Sequence, residues 1–151
     1  MAEDQIEREV RIDAPIERVW ALVTEPEHVG AWFGDAGAEI ELRPGGDFKL
    51  SWVEHGTVHG RVEQVEPPHR FAYRWLIAGP AEPTPANSTL VEFTLRADGD
   101  GTLLRVVESG FAGLEVDGGD AERDRRREDN VGGWRIELDE LVAYARQWAV
   151  R

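Results

Sequence analysis

From Asn130 to Arg151, Val131, Trp134, Leu138, Leu141, Val142, Ala145, Trp148 and Ala149 recur at steps of three and four, which draws one apolar stripe along a helix. At 1.5 Å per residue the run is roughly 30 Å long, about the width of a small domain. Arg135, Glu137, Asp139, Glu140 and Arg146 occupy the opposite face and require water. Such a helix needs an apolar surface as long as itself. Most of the remaining chain reads as strands able to build one.

The first strand is expected over residues 6–12, where Ile6, Arg8, Val10 and Ile12 alternate with charged residues. Asp13-Ala14-Pro15 stops it, and proline suits a first helical turn. A short helix follows with Ile16, Val19, Trp20, Leu22 and Val23 on its apolar face, ended by Glu25-Pro26. Residues 27–33 form a second short helix or turn carrying Val29, Trp32 and Phe33. Six alternating segments come next, around Ala38–Leu42, Phe48–Trp52, Val58–Val62 with Val65 at its end, Phe71–Trp75, Val91–Leu95 and Leu104–Glu108. Glycine- and proline-rich turns separate them, the strongest being Asp98-Gly99-Asp100-Gly101. Residues 121–129 are charged and read either as a loop or as the exposed first turns of the final helix. Strands in hairpin series give an antiparallel sheet, and with one long amphipathic helix the class is α+β.

Length supports a single domain over residues 1–151. The net charge of -13 argues against a nucleic-acid surface and, unless basic residues cluster locally, against binding to anionic membranes. With no cysteine, disulfides, thiol catalysis and thiolate metal sites are excluded. The N-terminal MAEDQIEREV has no apolar core of a signal peptide, and no apolar run reaches membrane-spanning length, so the expected location is cytoplasmic. Asn87-Ser88-Thr89 matches a glycosylation acceptor by chance on this reading.

The order of these pieces resembles the helix-grip fold of the SRPBCC superfamily, which joins START domains, the Bet v 1-like birch-pollen-allergen family and polyketide cyclases. The motifs are similar to the branch related to the activator of the ninety-kilodalton heat-shock-protein ATPase. The matching residues are Val10-x-Ile12-x-Ala14-Pro15 into Val19-Trp20, then Trp32-Phe33, Arg43-Pro44-Gly45-Gly46 before Phe48, and Gly60 with Val62 before Pro67-Pro68. Phe71-x-Tyr73-x-Trp75, Gly101-Thr102, Gly110-Phe111 and Gly133-Trp134 complete them, so the resemblance runs from about residue 6 to 148. In many relatives a histidine stands where this chain has Glu108. The resemblance implies a curved sheet of six to seven strands wrapped around the long C-terminal helix, two short helices after the first strand, and often a cavity between sheet and helix.

Alternation puts Leu42, Phe48, Leu50, Trp52, Tyr73, Trp75, Val91, Phe93, Leu104 and Val106 on the inward face. Trp134, Leu138 and Leu141 oppose them from the helix, and Trp32, Phe33 and Phe111 close the ends. Large aromatics with a few polar groups line many small-molecule sites, but the same side chains can simply fill a core. Candidate ligand-binding residues are therefore Trp32, Phe33, Phe48, Trp52, Tyr73, Trp75, Phe93, Val106, Glu108, Phe111, Trp134, Leu138 and Leu141. Register turns Glu108 inward, where a carboxylate binds a ligand hydroxyl or amine, or acts as an acid or base with a raised pKa. The simpler expectation places it at the strand end near solvent. Arg8 shares the inward register and is a candidate partner for it.

His28, His55, His59 and His69 show no metal-ligand spacing and no neighbouring carboxylate pattern, and each is expected to be solvent-exposed. No metal site or cofactor is expected. Asp98-Gly-Asp-Gly lacks the later ligands of a calcium loop, and the basic run Arg123–Arg127 is flanked by acids and reads as a solvated face. Three functions follow: binding of a hydrophobic small molecule between sheet and helix; an enzyme, cyclase- or hydrolase-like, using Glu108 or Tyr73 as acid or base; and a chaperone-cofactor-like interaction module. The chain is expected to be a monomer or homodimer.

Overall fold

The computed structural model describes residues 4–149. Met1–Glu3 and Val150–Arg151, which the expected domain and final helix include, lie outside the described residues, as does the side chain of Ala149. Strand β1 (Gln5–Ile12) leads into helices α1 (Ile16–Thr24) and α2 (Pro26–Trp32). Strands β2 (Ala38–Ile40), β3 (Asp47–Trp52), β4 (Gly56–Glu66), β5 (Arg70–Leu76), β6 (Ser88–Asp98) and β7 (Gly101–Ser109) follow. A 3-10 turn at Phe111–Gly113 precedes helix α3 (Gly119–Ala149). All strand pairs are antiparallel in one seven-stranded sheet of order β1-β7-β6-β5-β4-β3-β2. The α+β class, the helix pair and the strand series agree with the sequence reading.

The inner face is a set of cross-strand rows. One runs through Val62, Tyr73, Val91 and Glu108, and the next through Val65, Phe71, Phe93 and Val106. Val62 and Val65 lie three residues apart, so an even strand would send them to opposite faces. A β-bulge between Val62 and Gln64 absorbs the extra residue and turns both toward β5 residues of one face. Phe48, Phe71, Tyr73 and Phe93 are each at most 1% exposed. They contact one another in sequence, with Phe48 stacked on Tyr73 at 4.1 Å and 10° and Phe71 parallel to Phe93 at 6.5 Å. Each well-placed ring pair adds about 0.5–1.5 kcal/mol beyond its burial.

α3 lays Trp134, Leu138, Leu141 and Ala145 into this face, all buried. Burying each large side chain contributes roughly 1.5–3 kcal/mol. The helix starts at Gly119, eleven residues before the predicted stripe, so residues 121–129 are its first turns and not a loop, though Glu122, Arg123, Arg126 and Arg127 are half-buried and not fully exposed as expected. Their propensity for helix shows in i,i+3 and i,i+4 pairs such as Arg123 with Asp120, Arg125 with Asp129 and Arg126 with Glu122.

Two inward assignments fail. Leu42 is 41% exposed, because β2 ends at Ile40 and the alternation it continued no longer faces a partner. Arg8 is exposed, and its Nη1 donates to the Glu7 carbonyl instead of reaching Glu108.

Gly60 of β4 pairs with Trp75 of β5. A Cβ there would lie 2.1 Å from the Arg74 carbonyl oxygen, which is backbone and cannot swing away. Gly60→Ala is expected to lower stability by about 1–3 kcal/mol, read as a lower urea midpoint with an unchanged slope.

Candidate functional site

Glu108 leaves β7 on the inner face, two residues beyond Val106, and is 2% exposed. Glu108 does sit at the strand end, one residue before β7 stops at Ser109, but the solvent exposure expected there is wrong, because Thr89 of β6 and Asn130 and Trp134 of α3 cover its carboxyl. Thr89 Oγ1 donates to its Oε2 at 2.5 Å. Trp134 Nε1 donates to Oε1 at 2.9 Å. The Asn130 amide donates to both oxygens, at 3.1 and 3.2 Å. Asn130 and Trp134 lie one helical turn apart and so share a face of α3, while Thr89 and Val91 alternate on β6. Burial pushes the Glu108 carboxyl above its ordinary value, and the three donors oppose that shift. All three are neutral, so none of the hydrogen bonds to this buried carboxyl brings a counter-charge.

Tyr73 stands in the same cross-strand row, with Val91 between it and Glu108. It is fully buried, and its hydroxyl has no hydrogen-bond partner. Burial and the Glu108 charge hold the phenol well above its ordinary pKa, so it keeps its proton.

A cleft of about 230 Å³ opens onto Glu108 from outside. Trp75, Ile77, Phe111 and Leu114 form its apolar wall; Thr89, Asn130, Arg125, Arg126 and Asp129 form its polar side. Arg125 is tied to Glu122 and Asp129, and Arg126 to Glu122, which holds them along the first turns of α3.

The thirteen candidate residues do not share one cavity. Trp75, Glu108 and Phe111 line the cleft. Trp32, Phe33 and Trp52 line a separate groove. Phe48, Tyr73, Phe93, Val106, Trp134, Leu138 and Leu141 are buried between the two in the core. Thr89, Asn130, Ile77 and Leu114 were not singled out from sequence. The i,i+4 spacing of Asn130 and Trp134, and the position of Thr89 two residues before Val91, were the available signals for two of them.

His28 is 7% exposed, contrary to expectation, because α2 packs against α3 there. Its Nδ1 shares a 2.8 Å hydrogen bond with the Tyr144 hydroxyl, and its ring packs edge-on against Trp148. Glu25, Glu27 and His28 bring three possible ligand atoms within 4.8 Å of one another, so a carboxylate grouping does adjoin one histidine. Among the described residues no helix is long and apolar enough to cross a membrane.

The sheet gripping a long C-terminal helix, with a polar group buried between them, defines a helix-grip protein of the SRPBCC superfamily. The sequence model of the family described as Activator of Hsp90 ATPase homolog 1-like protein matches residues 13–146, and the chain belongs to that family. Among solved structures it is similar to protein MLL2253 from Mesorhizobium loti, at 24% identity and a TM-score of 0.77 over 95% of this chain and 97% of that one. It is similar also to CalU16 from Micromonospora echinospora, at 28% identity and a TM-score of 0.70 over 93% and 75% of the two chains. The Aha1 dimer from Colwellia psychrerythraea shares the fold at 17% identity and a TM-score of 0.70, over 92% and 93%. A comparison with curated protein sequences gave no match.

Glu108 holds its proton more tightly in the folded chain than in the unfolded one, where its ordinary value is 4.5. Its ionisation therefore opposes folding. The penalty is absent below that value and complete once pH exceeds the raised folded value. Glu108→Gln removes this titration. The difference in unfolding free energy, wild type minus variant, is expected to fall as pH rises from 4.5 toward neutrality, measured by urea denaturation at each pH. A difference that rises instead would mean the donor bonds outweigh burial.

Proposed function

We propose that this chain is a binding protein for a small, largely apolar molecule that enters the cleft between the sheet and α3. The ligand presents a hydroxyl or N–H group to Glu108. The observation that carries this reading is the carboxylate itself: 2% exposed, hydrogen-bonded only to neutral donors, and lining a cleft with an aromatic and aliphatic wall. Polar groups placed singly in an apolar pocket orient a ligand. The Asn130 amide bridges both carboxylate oxygens from the cleft lining, so its rotation frees an acceptor for the incoming group. At about 230 Å³ the cleft suits a ligand smaller than drug-sized molecules.

The alternative is catalysis by Glu108 or Tyr73. The two residues stand in one row, and burial raises the pKa of each above its ordinary value, which supports keeping this reading. Binding is preferred because Glu108 already accepts four hydrogen-bond contacts, and because Tyr73 does not line the cleft.

Trp75 lines the cleft and Trp134 bonds to Glu108, so occupancy should change tryptophan emission. Titration with a panel of small apolar alcohols and amides is expected to give a saturable response. Glu108→Gln should weaken it at least tenfold, and Leu114→Trp, which fills the cleft, should abolish it. A saturable response unchanged in both variants would move the ligand elsewhere, and no response to any member of the panel would leave these residues as core alone.

A further inference from the structure

Beyond the Glu108 cleft, a groove of about 430 Å³ runs along the other half of α3, between that helix, the end of α2 and the Trp52 end of β3. Trp32, Phe33 and Trp52 form one wall and Tyr144 another. These walls are fixed. Trp32 Nε1 donates to the Leu22 carbonyl at 2.7 Å, Trp52 Nε1 to the Phe33 carbonyl at 3.0 Å, and the Tyr144 hydroxyl is tied to His28. The groove also carries three carboxyl groups, Asp35, Glu137 and Glu140, and no lysine, arginine or histidine lines it. Asp35 Oδ1 accepts from the Val53 amide, while Glu137 Oε2 is shut off from solvent and the Glu137 carboxyl faces that of Glu140 across a shared proton.

We propose that this groove is a second binding site, independent of the Glu108 cleft, and that it takes an organic monocation of the substituted-ammonium class. Charge complementarity and shape both select that occupant. An uncharged apolar molecule would desolvate the carboxylates without compensating them. A compact metal ion needs several oxygens converging at bonding distance. Among the described residues the one group of three His, Asp or Glu ligand atoms within 4.8 Å of one another is Glu25, Glu27 and His28, so the groove's own carboxyls are too spread for that role. An alkylammonium is broad enough to touch separated carboxylates, and its methyl or methylene surface favours aromatic rings such as the half-buried Trp52 and Tyr144 of the groove.

The site is also linked to protons. The titratable groups on the groove are Asp35 from the turn after α2, and Glu137, Glu140 and Tyr144 from α3; β3 contributes Trp52, which has no charge. Glu137 is pushed up to about 8, first by burial, then by the charge of Glu140, a proton shared with Glu140, and the charge of Asp35. At neutral pH Glu137 therefore holds a proton that a bound cation must expel. Above about 8 the carboxylate is ready-made, so affinity for a permanent cation rises with pH through that value.

The test uses choline, which cannot lose its charge, and 3,3-dimethylbutan-1-ol, its uncharged carbon isostere. Both are titrated against tryptophan emission at constant ionic strength. Choline is expected to bind saturably, on the order of tenfold more tightly at pH 9 than at pH 6.5, and the isostere much more weakly at either pH. Glu137→Gln should weaken choline at pH 9 and flatten the pH dependence. An uncharged alcohol that saturates the cleft should not displace choline, which separates this site from the cleft. Equal binding of choline and its isostere would overturn the assignment. So would displacement of choline by magnesium at matched ionic strength, a pH dependence that survives Glu137→Gln, or the absence of saturable binding.

Discussion

A buried carboxyl group hydrogen-bonded to neutral donors is the constraint on which the seating of α3 depends. Glu108 belongs to β7, and its hydrogen bonds come from β6 through Thr89 and from α3 through Asn130 and Trp134. Leaving a buried polar group unmade costs about 1–3 kcal/mol, and more when it is charged. Any slide or rotation of the helix that moved Asn130 and Trp134 away would incur that cost. Apolar contact alone is non-directional; the stripe of Trp134, Leu138, Leu141 and Ala145 chooses the face of the helix, and Glu108 fixes its position along and around the axis.

From that anchor the molecule has two differently built ends. Near Glu108 the first turns of α3 bring Arg125, Arg126 and Asn130 over an apolar wall, and the acid lies at depth with neutral partners. Toward the C-terminal half of α3, the acids stand at the groove surface beside fixed aromatic walls. Between them the rings of Phe48, Phe71, Tyr73, Phe93 and Trp134 fill the space that a continuous cavity would occupy. Trp134 belongs to both arrangements, since its indole N–H holds Glu108 while its ring meets Phe33 at 5.3 Å. The two ends therefore share a rigid core but present unlike chemistry.

Much of the fold was legible because its signals are local. Alternation in β1, β3, β5, β6 and β7 and the three-four spacing of the final helix each arise from the geometry of one element. The misses arise where one element's fate rests on another. Leu42 continues an alternating run, but β2 has already left the sheet. Arg8 has the inward register without the cover that buries its neighbour Ile6. His28 has no sequence signal for burial, because Tyr144 and Trp148, which enclose it, lie more than a hundred residues away.

The sequence by itself determined the order and type of the main elements and the apolar face of most of them, since periodicity and turn chemistry are properties of neighbouring residues, while the helix-grip class followed from the resemblance of its motifs to a known family. The sequence determined also that Glu108 points inward. Only the tertiary structure decided that Glu108 is sealed and which donors meet it. It likewise decided that the candidate aromatics divide between a cleft, a core and a groove. Those outcomes follow from how far α3 extends over the sheet and where its side chains land, a balance of packing and desolvation between residues distant in the chain.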